Sequence, residues 1–171
     1  MKSILHVFSI FLAAILIFAP EQTFGQTSYT DASVTTSWNS SRWNNSSDGP
    51  TYTSNYAPSN AVHFTSGSYS FAGMGATVNI GNITVASGVT VSFTANANTL
   101  ATNGNIRTIN VGSNSVFDLA NQAVSTTAGT GFNKTGLGTL VIGTGGGYNG
   151  GFTLSGGTMV ADGVNSMGNH A

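Results

Sequence analysis

Gly138-Thr139-Leu140-Val141-Ile142-Gly143 is answered by Gly157-Thr158-Met159-Val160-Ala161, so the string Gly-Thr-(Leu/Met)-Val returns after 19 residues (158 − 139). In each copy a short apolar, β-branched run sits between glycines, a length suited to one short strand. An interval near twenty residues is what stacked β-coils need. One turn of the coil supplies a few short strands, each pairing with its equivalent in the next turn, while aliphatic side chains stack inside and Gly or Asn take the corners. A similar beat, Gly75-Ala76-Thr77-Val78-Asn79-Ile80 and Gly88-Val89-Thr90-Val91-Ser92-Phe93, comes earlier at a looser spacing.

Outward from this echo the same texture extends back to Ala61. Candidate strands are Ala61 to Phe64, Ser68 to Phe71, Thr77 to Ile80, Ile83 to Val85, Val89 to Phe93, Ile106 to Val111, Val116 to Leu119, Thr139 to Ile142, Phe152 to Leu154 and Thr158 to Ala161. No 3.6-residue period follows residue 25, so the chain reads as all-β. Many short strands between tight turns suit a solenoid or a sandwich, and the echo favours the solenoid. The segment 26–60 differs: it is rich in Ser and Asn, carries Trp38, Trp43, Pro50 and Pro58, and lacks sustained alternation. It is expected to be a loop-rich N-terminal cap, with β-helix coils over 61–128.

Composition narrows the function. Four basic and five acidic side chains make up 5% of 171 residues, with a net charge of -1, where an average soluble chain is about a quarter charged. Nucleic-acid binding needs clustered Lys and Arg to neutralise phosphates, and no such stripe exists here. The chain is 40% hydrophobic, so it is not the polar, highly charged kind that stays disordered. Ser, Thr, Asn and 23 glycines stand in for the usual helix formers.

Lys2, the apolar run Ile4 to Ala19 and Pro20 read as a secretory signal peptide over residues 1–25, cleaved before Gln26. The alternative is a retained membrane anchor, for which the run is short of the roughly 20 residues a spanning helix needs. Removal leaves Arg42, Arg107 and Lys134 against Asp31, Asp48, Asp118 and Asp162. There is no cysteine, so an exported domain must be held by backbone pairing and apolar burial rather than disulfides.

Phe132-Asn133-Lys134-Thr135-Gly136-Leu137-Gly138-Thr139-Leu140-Val141-Ile142, then Tyr148-Asn149-Gly150-Gly151-Phe152-Thr153-Leu154, then Ser155-Gly156-Gly157-Thr158-Met159-Val160-Ala161 resembles the autotransporter-associated β-strand repeat. That repeat opens Lys-x-Gly-x-Gly-Thr-Leu, turns at Tyr-x-Gly-Gly and closes on Gly-Thr-Leu, and Asn165-Ser166-Met167-Gly168 is similar to its usual sequel. Lys134, Gly136, Gly138, Thr139, Leu140, Tyr148, Gly150, Gly151, Gly157, Thr158 and Met159 carry the match, which covers residues 129–168 in one copy. Phe152 after Gly-Gly, Met159 in place of Leu and the insertion Gly145-Gly146-Gly147 depart from it. The resemblance implies a right-handed parallel β-helix in an exported passenger, where the repeat supports secretion and folding across the outer membrane. Residues 169–171 follow the repeat with no capping element and are expected to be the truncated end of the N-terminal piece of a longer protein, the alternative being an end covered by a partner or by self-association.

Chemistry-bearing residues are sparse. Glycoside hydrolysis needs two carboxylates about 5–10 Å apart, and the four aspartates do not cluster in sequence. Asp118 alternates with apolar neighbours and is expected to face solvent; Asp162 precedes Gly163 and is expected to form a turn. His63 alone cannot build a metal site, which takes three or four ligands. Gly145-Gly146-Gly147-Tyr148-Asn149-Gly150 matches G-x-G-x-x-G, but no helix follows to hold a pyrophosphate. Trp38 and Trp43 are expected to plug the first coil, the alternative being a stacking platform for sugars. The expected function is a non-enzymatic passenger or scaffold segment of a bacterial surface or secreted protein, at the outer-membrane surface or extracellular, supporting secretion, folding and display, with adhesion as a candidate role and without cofactor. Its expected partners are the outer-membrane translocation machinery or a barrel further along the polypeptide, with a surface glycan or protein as candidate ligand. The alternative is a β-helical carbohydrate-active enzyme or carbohydrate-binding module.

Overall fold

The computed structural model describes residues 26–29, 37, 38, 43, 56, 58–95, 98–143 and 147–163, and at 26–29 and 147–148 only the backbone. Every regular element among them is a strand, and every pairing is parallel. After a leading strand, β1 (Gln26–Tyr29), the chain winds in coils of three strands each. The first coil is β2 (Ala61–Phe64), β3 (Ser68–Phe71) and β4 (Val78–Asn79); the second is β5 (Ile83–Val85), β6 (Thr90–Phe93) and β7 (Thr99–Ala101). The third is β8 (Ile106–Val111), β9 (Val116–Leu119) and β10 (Ala123–Thr126), and the fourth β11 (Gly131–Thr135), β12 (Thr139–Ile142) and β13 (Gly147–Tyr148). A fifth begins with β14 (Phe152–Leu154) and β15 (Thr158–Ala161).

Equivalent strands of successive coils stack into a six-stranded sheet (β1-β2-β5-β8-β11-β14), a five-stranded sheet (β3-β6-β9-β12-β15) and a four-stranded sheet (β4-β7-β10-β13). The molecule is a parallel β-solenoid of about four turns, advancing about 4.8 Å per coil. The 19-residue echo is one coil: Thr139 pairs with Thr158, Leu140 with Met159, Val141 with Val160 and Ile142 with Ala161. The earlier beat is not. Val78 pairs with Leu100 in the four-stranded sheet, whereas Val91 pairs with Tyr69 and Phe117 in the five-stranded one. The two strings therefore lie on different faces and do not stack.

Alternation of side chains along each strand decides what is inside. Val62, Ile83 and Ile109 form one interior ladder, and Tyr69, Val91, Phe117 and Leu140 another, all buried. Trp38 and Trp43 are wholly buried against this core. Their ring centroids are 4.8 Å apart, and Trp38 lies 5.1 Å from Phe71 and 5.9 Å from Phe93, so they pack on the first two coils as the plug reading requires. A sugar-stacking platform needs an accessible ring face, which neither indole has.

Five strands lie where the sequence suggested none. β1 opens the segment expected to be loop-rich, pairing through its backbone with β2. In β7 and β10 the inward apolar residues are Leu100 and Val124 alone, too few to show a period. β11 hides a lysine at an inward position, and β13 is two residues long. The signal peptide expected over 1–25, Asn165-Ser166-Met167-Gly168 and residues 169–171 lie outside the described residues, as do Asp31 and Asp48.

Candidate functional site

The residues that carry the repeat motif gather at two corners of the solenoid. The first is built from β11, whose alternation turns Phe132 and Lys134 inward. Lys134 is 0% exposed and stands in register with Ile109 on one side and Leu154 on the other. Its place on the ladder is one that Ile83 and Val62 occupy in earlier coils. A buried ammonium is costly unless its donors are met. Here Nζ donates to the carbonyl oxygens of Thr135 at 2.7 Å, Gly136 at 2.9 Å and Gly156 at 3.0 Å, so all three N–H groups have an acceptor. Burial lowers the pKa of Lys134 from its ordinary value.

The glycines make this cage. Gly136 takes a left-handed turn, φ 74°, and a Cβ on it would lie 2.3 Å from the carbonyl oxygen of Val111. A Cβ on Gly138 would lie 2.2 Å from the carbonyl oxygen of Gly112, and one on Gly157 2.4 Å from that of Gly136. The Lys-x-Gly-x-Gly spacing thus lets the backbones of three coils pack closely at this corner, two of them supplying the carbonyls that hold the ammonium. Beyond the corner, Thr139 and Thr158 face outward, Leu140 is buried, and Met159 packs against the core.

At the second corner the N–H of Gly150 donates to Thr126 Oγ1 at 2.8 Å, and a Cβ on Gly150 would lie 1.8 Å from the carbonyl oxygen of Thr130. Gly151 follows with φ 74°. Tyr148 belongs to β13, its backbone paired with Thr126. The sequence reading missed a buried polar cluster beside this corner: Thr102 and Thr130 share a hydroxyl–hydroxyl bond of 3.2 Å, and Thr130 Oγ1 donates to the carbonyl of Thr127 at 2.7 Å. Thr102 and Thr130 hold inward positions without an apolar side chain, which leaves no hydrophobic signal to follow.

The remaining candidates stay apart. Asp118 is half-buried on the outer face of β9, its Oδ1 accepting the N–H of Ala120 at 2.8 Å in an Asx turn. Asp162 is exposed just after β15, and its N–H donates to the carbonyl of Ile142 at 2.7 Å. The two carboxylates are separated by two coils, since Asp118 pairs with Val141 and Val141 with Val160. His63 is half-buried on the outer face of β2, and burial lowers its pKa. After Gly150 the chain enters the strand β14 rather than a helix, so the G-x-G-x-x-G string has no helix N-terminus beside it. Among the described residues no three His, Asp or Glu side chains are grouped to hold a metal ion, and no helix is long and apolar enough to cross a membrane. The described chemistry is that of a structural cation at a coil corner and of mostly uncharged polar faces outside, on which Asp118 and Asp162 stand apart. No family model, curated protein or solved structure matches the chain.

Proposed function

We propose that the chain is an exported, non-enzymatic β-helical segment of an autotransporter-like bacterial surface or secreted protein, a scaffold that supports secretion, folding and display. The observation that carries this reading is the bond from Lys134 to Gly156. The corner of one coil is completed by a carbonyl of the next, so a coil gains its full set of bonds only when its successor has been laid down. Such growth suits a chain that leaves a membrane one end first and folds on the far side. Freedom from cysteine and near-freedom from charge suit passage through an envelope in an unfolded state. The partners that follow are the outer-membrane translocation machinery, or a barrel in the same polypeptide, with a surface glycan or protein as ligand.

Expression of the full chain in a Gram-negative host tests this, with Leu12→Arg/Leu16→Arg as the comparison. The intact chain is expected outside the cytoplasm, shortened by about the length of a signal peptide, and the variant inside at full length. Full-length wild-type chain retained in the cytoplasm overturns the reading.

A further inference from the structure

The outer face of the six-stranded sheet carries two rows of uncharged polar side chains in a repeating order. In the first row Thr108 pairs with Asn133 and Asn133 with Thr153, while Asn82, one residue before the Ile83–Ile109 pair, continues it at the other end. The row reads Asn, Thr, Asn, Thr along the axis. In the second, Thr84 pairs with Asn110 and Asn110 with Thr135, and Ser155 continues the Lys134–Leu154 register. That row reads Thr, Asn, Thr, Ser. In the first row amide and hydroxyl alternate with a period of two coils, and the second follows it out of phase by one coil from Thr84 to Thr135, Ser155 placing a second hydroxyl at its end.

These side chains are half-buried or exposed, and the rows hold no carboxylate or Lys or Arg side chain, with His63 at the head of the second. Two bonds keep the first row in order: Asn82 Oδ1 accepts the N–H of Thr108 at 2.9 Å, and Ser155 Oγ donates to Asn133 Oδ1 at 2.7 Å. Rows lie two residues apart along the strand, about 6.7 Å, and the two-coil period along the axis is about 9.6 Å. An uncharged β-1,4-linked polysaccharide has matching symmetry. Its successive sugars are flipped by half a turn, so equatorial substituents alternate from edge to edge with a two-sugar period close to that length. Laid along the axis, one sugar would meet each coil, its alternating edges meeting amide on one side and hydroxyl on the other over the three coils from Asn82 and Thr84 to Asn133 and Thr135, and hydroxyls on both sides at Thr153 and Ser155. With the indoles of Trp38 and Trp43 buried, recognition would run through hydrogen bonds on this flat panel.

We infer that the Asn/Thr panel of the six-stranded sheet binds an extended, uncharged β-1,4-linked glycan along the solenoid axis, which names the glycan and the surface for the display function proposed above and rests on that reading. The test is co-sedimentation of the purified full chain with microcrystalline cellulose and with chitin, at low and high salt, with granular starch as the comparison. The chain is expected to pellet with at least one β-1,4-linked glycan, equally at both salt concentrations, and not with the coiled α-1,4-linked starch. Asn110→Asp/Asn133→Asp keeps the acceptor used by Ser155 and adds two charges to the panel. It is expected to lower the bound fraction at least tenfold with an unchanged circular dichroism spectrum, while Ser70→Asp, on the five-stranded sheet, pellets as wild type. If wild type pellets with neither β-1,4-linked glycan, or the double variant pellets as well as wild type, the inference fails. Should the variant lose its spectrum, Thr84→Lys and Thr153→Lys, tested singly, take its place with the same expectation. An exported chain that pellets with nothing overturns this inference and leaves the display reading standing; a retained chain that pellets does the reverse.

Discussion

Lys134 lies directly beside Ile109 in the interior of the six-stranded sheet, an ammonium-bearing side chain on the rung next to an aliphatic one. The two positions solve the same packing problem by different means. Ile109 fills its rung with apolar contact, and Lys134 fills its own with a stem of methylenes and a head bonded to the carbonyls of Thr135, Gly136 and Gly156.

Lys134→Met keeps the stem and removes the head. Three partly buried carbonyls then lose a donor, and the variant is expected to unfold with about 1–3 kcal/mol less stability in urea. The loss is local. Amide exchange is expected to quicken most at Ser155 and Thr158, whose N–H groups donate across to the carbonyls of Lys134 and Gly138, and least at Val116, which donates to Val89. Uniform quickening across all coils would contradict a corner role.

Two glycines separate close approach from backbone conformation. Gly129 has φ 77° with open space around its absent Cβ, and Gly150 lies against the carbonyl of Thr130. Gly129→Ala is expected to cost about 1 kcal/mol, the strain of a left-handed alanine. Gly150→Ala forces coils apart and is expected to cost more than about 3 kcal/mol or to prevent folding. Equal midpoints in a urea titration of the two variants would refute the distinction.

Tyr56 ties the plug to the coils: its hydroxyl donates to the carbonyl of Asn60 at 2.8 Å and accepts the N–H of Gly81 at 3.3 Å. Burial pushes its pKa up to about 12, against an ordinary 10.0. A folded-state value above the unfolded one means stability is complete below pH 10 and is lost as pH rises toward 12, by about 3 kcal/mol in all. Tyr56→Phe is expected to flatten that alkaline arm. His63 works at the other end of the scale. Its lowered pKa means the unfolded chain takes up the proton first, so its contribution is full above its ordinary value near 6.5 and is lost as pH falls below it. Unfolding midpoints measured from pH 4 to 12 check both signs.

Trp38→Ala removes the ring that touches Trp43, Tyr56, Phe64, Phe71 and Phe93 and is expected to cost about 3–5 kcal/mol. In the wild type, indole emission is expected to be blue-shifted, shielded from acrylamide and unchanged by added oligosaccharide. A sugar-dependent quench would return Trp38 and Trp43 to the surface.

The solenoid was legible because its strands alternate cleanly: Val62 and Phe64, Val91 and Phe93, Leu140 and Ile142 each lie two residues apart and point inward. The Thr139–Thr158 pairing could be read as one coil because both copies keep the same residues at the corner and the same inward positions. The earlier echo misled because a Gly-led apolar string marks any strand after a turn, whichever sheet it joins. What stayed hidden depends on contact across coils. Nothing local in Asn133-Lys134-Thr135 tells that the lysine turns inward, since the carbonyl of Gly156 that completes its cage comes from the next coil. The Asn/Thr panel was equally hidden, because its order exists only once coils of unequal length, 26 residues (109 − 83) in one place and 19 (158 − 139) in another, are set in register.

Stacking by parallel pairing also fixes how the molecule answers to force. The bonds between coils run along the axis, and neighbouring coils are joined by a single strand of chain, so tension on the two ends pulls each coil off the stack in turn instead of shearing a sheet. A coil of 19 to 26 residues would pay out about 65–90 Å of chain as it leaves. The trace would be a sawtooth of unequal teeth, in which the release of the coil that begins at β14 breaks the bond from Lys134 to Gly156 and registers the rupture of a charged contact. A rod of this kind lengthens under load in steps and shortens again as coils rewind, a tether that gives before it breaks.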